Sequence, residues 1–405
     1  MAARQGCVLR RMRFVVTLAS SFSSQTLEVI AGHFHPPDQI HAIEAIGSGN
    51  VNDTFLVRLE HGSGHRGDAF VMQRLNTQVF AKPELVMGNL IALGSHVQQR
   101  MSAGLPELRG RRWEVPEVVF TRSPTPMQPS HWVEHAGEFW RSITYIGAAV
   151  THDVVVDQVH AREVGYGLGM FHRLIHDLPV DDLADTLEGF HVTPAYLSRY
   201  DHVLDSWLDR VDVGEATDAR LASALAFVAE GRDGADVLEA ACDRGELKRR
   251  PIHGDPKINN VMIDEASGHA VGLIDLDTVK PGLVHYDIGD CLRSSCNPAG
   301  EEAGDLDAVR FDLSLCRSIL EGYFSVARPF LSDADLVYLP ACIRLIPFEL
   351  GLRFLTDHLD GDRYFKVSRH GHNLHRALVQ FTLMRSIEDQ FEALQDLVHE
   401  LTRIT

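Results

Sequence analysis

The chain has 405 residues, 45% of them apolar and 23% charged, with a formal net charge of −18 at pH 7; that is a globular composition with length for two lobes. The acidity is not offset by any concentrated Lys/Arg face, which argues against a nucleic-acid binder. No run approaches the roughly 18–20 apolar residues of a membrane span, and six cysteines without a C-x-x-C pair argue against a disulfide framework or zinc site and fit a reducing cytosol.

Residues 1–24 read as an extension. Arg4, Arg10, Arg11 and Arg13 precede the short apolar run from Phe14 to Ala19 and a Ser-rich tail, in the manner of a leader. That run falls short of the about 7–15 residues of a secretory core, so a disordered extension or a start codon placed early is expected. From Gln25 to Phe34 the spacing of Leu27, Ile30, Ala31 and Phe34 predicts a short amphipathic helix. Ile43–Ile46, Phe55–Leu59 and Ala69–Leu75 predict strands around a Gly-rich tip at Gly47–Thr54. Pro83 and Glu84 open a helix, and Val118–Thr121 and Phe139–Ile146 add two strands. Residues 25–147 thus form a small lobe of about five antiparallel strands and one helix. Residues 148–405 are mostly helical, with helices expected over Val154–Leu174, Tyr196–Val211, Ala216–Ala229, Ala235–Arg244, Asp305–Gly322, Asp333–Leu355 and Asn373–Ile404. The fold class is α+β, and the cleft between the lobes is the expected ligand site.

Between those helices lie two short apolar runs that end in acids. In His253-Gly-Asp255-Pro-Lys257-Ile-Asn-Asn260, the Asp-to-Asn spacing is that of a kinase catalytic loop. Asp255 then orients the proton of a substrate hydroxyl, Lys257 faces the transferring phosphoryl group and Asn260 binds Mg²⁺; phosphoryl transfer requires such positioning and charge neutralisation. An Asx-rich turn is the structural alternative. In Leu273-Ile-Asp275-Leu-Asp277, strand alternation projects both carboxylates to one side as further Mg²⁺ ligands. Asp287 and Asp290 are expected to buttress the loop or cap a helix starting near Leu292.

In the small lobe, Gly47-Ser-Gly49-Asn50-Val-Asn52-Asp-Thr54 has the composition to cover phosphates with backbone N–H groups, although it is not a Walker A loop. Arg74 stands where a kinase places its phosphate-binding lysine, unless the strand register turns it outward and leaves Gln73 inside. Glu349 and Arg353, one helical turn apart, read from spacing alone as a surface ion pair.

HGDPKINN with IDLDTVKPGL and YDIGD resembles the aminoglycoside phosphotransferase/choline kinase-like superfamily. Within it, GSGNVNDTFLV, FVMQRLNTQVFAKPELVMGNL, FWRSITYI, GLGMFHRL, LEGFHVTP and RFLTDHLDGDRYF are most similar to bacterial N-acetylhexosamine 1-kinases, from about Gln25 to near the C-terminus. The resemblance implies a bilobal protein-kinase-like fold. It implies ATP and Mg²⁺ as cofactors and transfer of the γ-phosphate to the anomeric hydroxyl of N-acetylglucosamine or N-acetylgalactosamine, in amino-sugar metabolism. Asp255 becomes the base, with Asn260 and Asp275 as Mg²⁺ ligands. Tyr145 and Ile146 fall where the hinge meets adenine, and Glu349, Arg353 and Tyr364 fall in the sugar pocket with Asp255. Gly88 stands where a larger polar residue is usual, so no helix–strand ion pair of the protein-kinase type is expected. Alternatives within reach of the sequence are a kinase for another sugar, an amino alcohol or an aminoglycoside, and a nucleotide-binding pseudokinase. IDLDT also resembles the D-x-D-x-T of aspartyl-phosphate phosphatases, but no alternating β/α pattern precedes Asp275. The partners expected are therefore a small-molecule substrate and ATP, with no nucleic acid and no membrane.

Overall fold

The structure is a computed structural model that describes residues 22–47, 51–60, 68–122, 130–210 and 218–404. Gly49 and Asn50, and the extension as far as residue 21, lie outside the described residues. Two compact units emerge, one drawn from Met1–Pro83 with Pro116–Gly147 and the other from Glu84–Val115 with Ala148–Thr405.

In the first unit, helix α1 (Ser24–Ala31) is capped by Ser23, whose hydroxyl accepts the Thr26 N–H. Phe22 packs edge-on against Trp140 at 5.0 Å. Phe22 and Ser23, which fall within the span read from sequence as the extension, thus take part in the packing and capping of this unit. Strands β1 (Ile40–Ala45), β2 (Asp53–Leu59) and β3 (Ala69–Leu75) follow. After helix α2 (Pro83–Ala103), whose body belongs to the second unit, come β4 (Val133–His135) and β5 (Glu138–Thr144). The five strands form one antiparallel sheet in the order β1-β2-β3-β5-β4. Alternation puts Phe55, Val57, Phe70, Met72 and Trp140 on one face, buried with Leu27 and Ile30 of α1. Each such side chain contributes about 1.5–3 kcal/mol on burial. The strand expected at Val118–Thr121 is reduced to a single bridge, Val118 to Ile143. Pro116 cannot donate to a ladder and stands at its start.

The second unit is mainly helical. It contains β6 (Ala149–Val150), α3 (Gln158–Ile175), α4 (Thr193–Leu208), α5 (Ala219–Gly231) and α6 (Val237–Asp243), then the short strands β7 (Arg250–Ile252), β8 (Val261–Asp264), β9 (Ala270–Leu273) and β10 (Lys280–Gly282). Helices α7 (Val284–Ser295), α8 (Leu313–Ala327), α9 (Asp333–Val337), α10 (Leu339–Leu359), α11 (His372–Glu388) and α12 (Phe391–Ile404) complete it. Three expected helices change. Helix α8 starts only at Leu313, where the Asp312 carboxylate caps Ser314 and Leu315. The Asp333–Leu355 segment splits before Leu339, because Pro340 suits the first turn of a new helix and not the interior of an old one. The Asn373–Ile404 segment splits into α11 and α12. No helix among the described residues is long and apolar enough to cross a membrane.

Helices α3 and α8 approach until only glycine fits between them. A Cβ on Gly165 would stand 1.9 Å from the Ile319 carbonyl oxygen, and one on Gly322 would stand 2.0 Å from that of Arg162. Gly165→Ala will therefore force the helices apart and lower the unfolding free energy by about 1–3 kcal/mol or more, despite alanine's better helix propensity. Urea denaturation measures this, and an unchanged midpoint would contradict the close packing. The contact matters for function because α3 also carries His172.

Candidate active site

The hairpin of β8 and β9 and the end of β7 bring the acidic loop together. The Lys257 ammonium lies 3.0 Å from an Asp255 carboxylate oxygen, both side chains partly exposed. That carboxylate raises the Lys257 pKa, so the lysine stays charged beside it. The Asn260 amide nitrogen donates to the Asp255 backbone carbonyl at 2.7 Å and lies 3.4 Å from its carboxylate. The Ile258 N–H donates to Ser294 of α7 at 3.0 Å.

Asp287 holds this loop from beneath. One carboxylate oxygen accepts the His253 N–H at 2.7 Å, the other the Gly254 N–H at 2.8 Å, and His172 Nε2 stands 2.8 Å from the first. Burial would raise its pKa, but the hydrogen bond and charge of His172, with His253 and its N–H, hold the carboxyl below the ordinary range. Helix α7 starts at Val284, not near Leu292, so Asp287 and Asp290 sit inside the helix and cap nothing. Asp290 accepts from Arg293 Nε at 2.8 Å, and Arg293 reaches Glu301 at 2.7 Å. Burial raises the Asp290 pKa; Arg293 opposes this and the nearby Asp255 charge adds to it.

The second acidic pair departs from the expected geometry. Strand β9 ends at Leu273, Asp275 takes a left-handed conformation (φ 63°, ψ 55°), and a 3-10 turn covers Leu276–Thr278. Alternation therefore stops before the acids. Asp275 is exposed and Asp277 is 2% exposed, so the two carboxylates do not project together. Asp275 still acts electrostatically on Lys257. The Asn260 amide nitrogen is engaged by Asp255, and its oxygen is the atom of that side chain able to ligate a cation. One amide oxygen and one exposed carboxylate are the hard, sparse donors that suit Mg²⁺, which keeps several waters and phosphate oxygens. Among the described residues no group of three His, Cys, Asp or Glu side chains could hold a metal on its own.

On α10, Glu349 and Arg353 do not form the surface ion pair that their spacing suggests. Glu349 is 1% exposed; His191 Nδ1 lies 2.8 Å from one oxygen and the Thr193 hydroxyl donates to the other at 2.7 Å. The Arg353 guanidinium lies over the rings of Phe190 (5.0 Å), Tyr196 (5.1 Å) and Phe365 (5.5 Å). Burial opposes its charge, but the nearby Tyr196, Tyr364, Glu349 and Asp255 raise its pKa. The Asp357 carboxylate accepts the N–H groups of Arg363, Tyr364 and Phe365 at 2.8–2.9 Å, fixing the loop that supplies Phe365 and the half-exposed Tyr364.

In the first unit, Gly47 has φ 75°, a conformation that favours glycine. Asn52 Oδ1 accepts the Asn76 N–H at 3.0 Å. Arg74 is engaged by Asp53 (2.6 Å) and Glu138 (2.9 Å) and lies over Phe22, on the α1 face of the sheet. The opposite face carries Gln73, which donates to Thr54 Oγ1 at 3.1 Å and accepts two bonds from Arg141 at 3.0 and 2.8 Å. Tyr145 and Ile146 directly follow β5, with Ile146 buried.

Residues 42–311 match the phosphotransferase enzyme family, more than half of the chain. The chain belongs to that family. Among solved structures, this phosphotransferase is similar to an aminoglycoside phosphotransferase from Alicyclobacillus acidocaldarius subsp. acidocaldarius DSM 446 (17% identity, 95% of this chain and 98% of that one, TM-score 0.56). It is also similar to a choline kinase from Cryptosporidium parvum Iowa II (11%, 93% and 100%, 0.56). A third likeness is to a spectinomycin phosphotransferase solved with ADP and spectinomycin (11%, 92% and 99%, 0.55). These likenesses show the fold, which is α+β and protein-kinase-like, with a small antiparallel β-rich unit and a larger, mainly helical one.

Three of the buried basic side chains described above have no local signal in sequence. Arg141 lies inside FWRSITYI, His172 inside GLGMFHRL and His191 inside LEGFHVTP; each motif is legible as family-like, but not the role of its basic residue.

Proposed function

We propose that the chain transfers the γ-phosphoryl group of ATP, with Mg²⁺, to the anomeric hydroxyl of an N-acetylhexosamine, giving the sugar 1-phosphate. Asp255 accepts the hydroxyl proton as the oxygen–phosphorus bond forms and ADP leaves, while Lys257 offsets charge on the transferring group. Asn260 and Asp275 would hold the Mg²⁺, which when bound neutralises phosphate charge. The metal role expected of Asp277 rested on strand alternation, and its burial favours support of the turn instead. Gly47, Asn52 and Thr54, with Tyr145 and Ile146, remain the residues proposed for the nucleotide, and the Arg141–Gln73 pair is a better candidate than Arg74 for a phosphate-facing cation. Arg353 and Tyr364 contact the acceptor, and Glu349 acts through the groups that it holds.

The observation that carries the choice of acceptor is the Arg353 guanidinium, held among three rings and close enough to Asp255 to share its field. A fixed positive charge that the base feels electrostatically disfavours a cationic acceptor such as choline or an aminoglycoside. It favours a neutral, hydroxyl-rich one that can accept hydrogen bonds from arginine. Coupled ADP release with Mg-ATP against N-acetylglucosamine, N-acetylgalactosamine, glucose, galactose, choline and kanamycin tests this. Turnover is expected on an N-acetylhexosamine, with Arg353→Ala raising the acceptor KM about ten-fold or more through loss of a charged hydrogen bond. A preference for choline or kanamycin would overturn the choice.

A further inference from the structure

His191 touches no reacting group in the chemistry above, yet it is bonded to the loop that carries Asp255. It is 4% exposed and adopts φ 65°, a left-handed conformation uncommon for a residue with a side chain. Its Nδ1 lies 2.8 Å from the Glu349 carboxylate and its Nε2 lies 2.7 Å from the Gly254 carbonyl oxygen. Its ring stacks on Tyr286 of α7 at 5.2 Å and 16°. The Gly254 carbonyl can only accept, so Nε2 donates; with Glu349 ionised, Nδ1 donates as well, and a ring that donates from both nitrogens is the imidazolium. Glu349 is ready for this partner: its other oxygen already accepts from Thr193, and His191 holds it ionised against the cost of burial.

On the other side of the same residue is Asp287, which accepts the Gly254 N–H. Gly254 itself has φ 89°, and a Cβ there would stand 2.6 Å from the Thr278 carbonyl oxygen. Its N–H is thus fixed by Asp287 and its C=O by His191, and the next residue is Asp255.

We infer that His191 is a positioning residue for phosphoryl transfer, its imidazolium joining the Glu349 carboxylate to the Gly254 carbonyl and so fixing the peptide that presents Asp255. This rests on the phosphotransferase reading of Asp255, but not on the identity of the acceptor. Burial lowers the pKa of His191; Glu349, the Gly254 carbonyl and the Asp290 charge outweigh that and raise it above its ordinary value. The groups that face the ring are Glu349 of α10, Tyr286 and Asp290 of α7 and the Gly254 carbonyl, with the Tyr196 hydroxyl of α4 at the His191 backbone and Glu239 of α6 bonded to Tyr286. The sign follows from the raised value. The pair is fully formed below the ordinary histidine pKa of about 6.5 and is lost as pH rises through the folded value.

The test compares the full-length protein with His191→Ala and His191→Gln, using whichever acceptor the unmodified protein phosphorylates. In His191→Ala, kcat is expected to fall about 10- to 100-fold, the cost of a misplaced reacting group. The KM for ATP should hold, and glutamine, which can donate to the Gly254 carbonyl, should recover part of the loss. The alkaline fall of kcat that follows His191 in the unmodified protein should vanish in His191→Gln. Ring ¹⁵N spectra, with His191→Gln assigning the signal, should show both nitrogens protonated at pH 7. A His191→Ala enzyme with unchanged kcat would overturn the inference. A neutral ring at pH 7 would do the same, as would an equal collapse of kcat, ATP affinity and melting temperature in both variants. If no acceptor in the panel is turned over, the acceptor proposal fails separately and the ring spectra still decide this one.

Discussion

Asp255→Ala will lower kcat by about 10²–10⁴-fold, the range for loss of a positioned general base, while ATP still binds. The reason is local. Asp255 is the partly exposed acid of the loop, it sits beside the charged Lys257, and Asn260 grips its backbone carbonyl. Removing the carboxylate would delete the proposed proton acceptor and its pairing with Lys257 but leave the loop's anchors to Asp287, His191 and Ser294, which use other atoms. Steady-state kinetics beside an ATP-binding titration separates the two effects. A parallel loss of ATP binding would mean that Asp255 is structural.

Asp287→Ala will have the opposite signature, a large loss of stability accompanied by loss of activity. Truncating one partner of a buried, charged network costs about 3–5 kcal/mol, and here it strands the N–H groups of His253 and Gly254 and the ring of His172 at once. The Tyr323 hydroxyl, 2.9 Å from the other nitrogen of His172, loses its anchor in turn. Because the folded Asp287 pKa is depressed, its stabilisation is present above the unfolded carboxylate value of about 3.9 and is lost as pH falls through the folded value. Acid unfolding should therefore be less steep in Asp287→Asn, which is also less stable at neutral pH. Denaturant unfolding at neutral and acid pH measures both, and a variant as stable as the unmodified chain at neutral pH would contradict the network.

What was legible in the sequence was whatever chemistry is carried over a few residues. The Asp255–Asn260 spacing spans one loop, so it survives folding unchanged, and Asp287 could be read as a buttress because it follows the hairpin closely. The alternation expected to carry Asp275 and Asp277 fails because Asp275 leaves the strand in a left-handed turn that no periodicity announces. Arg74 was ambiguous because one register step moves a side chain across a sheet, and the register placed it with α1. The Glu349–Arg353 spacing said nothing of His191, which meets Glu349 from 158 residues away. Contacts of that range come from packing and leave no local pattern.

The most direct measurement of the central claim is a ³¹P NMR spectrum of the product formed from Mg-ATP and an N-acetylhexosamine, with Asp255→Ala alongside. The expected result is a phosphorus signal coupled to the anomeric proton, formed by the unmodified protein and missing from the variant. Phosphate on another hydroxyl, or transfer only to choline or kanamycin, would contradict it.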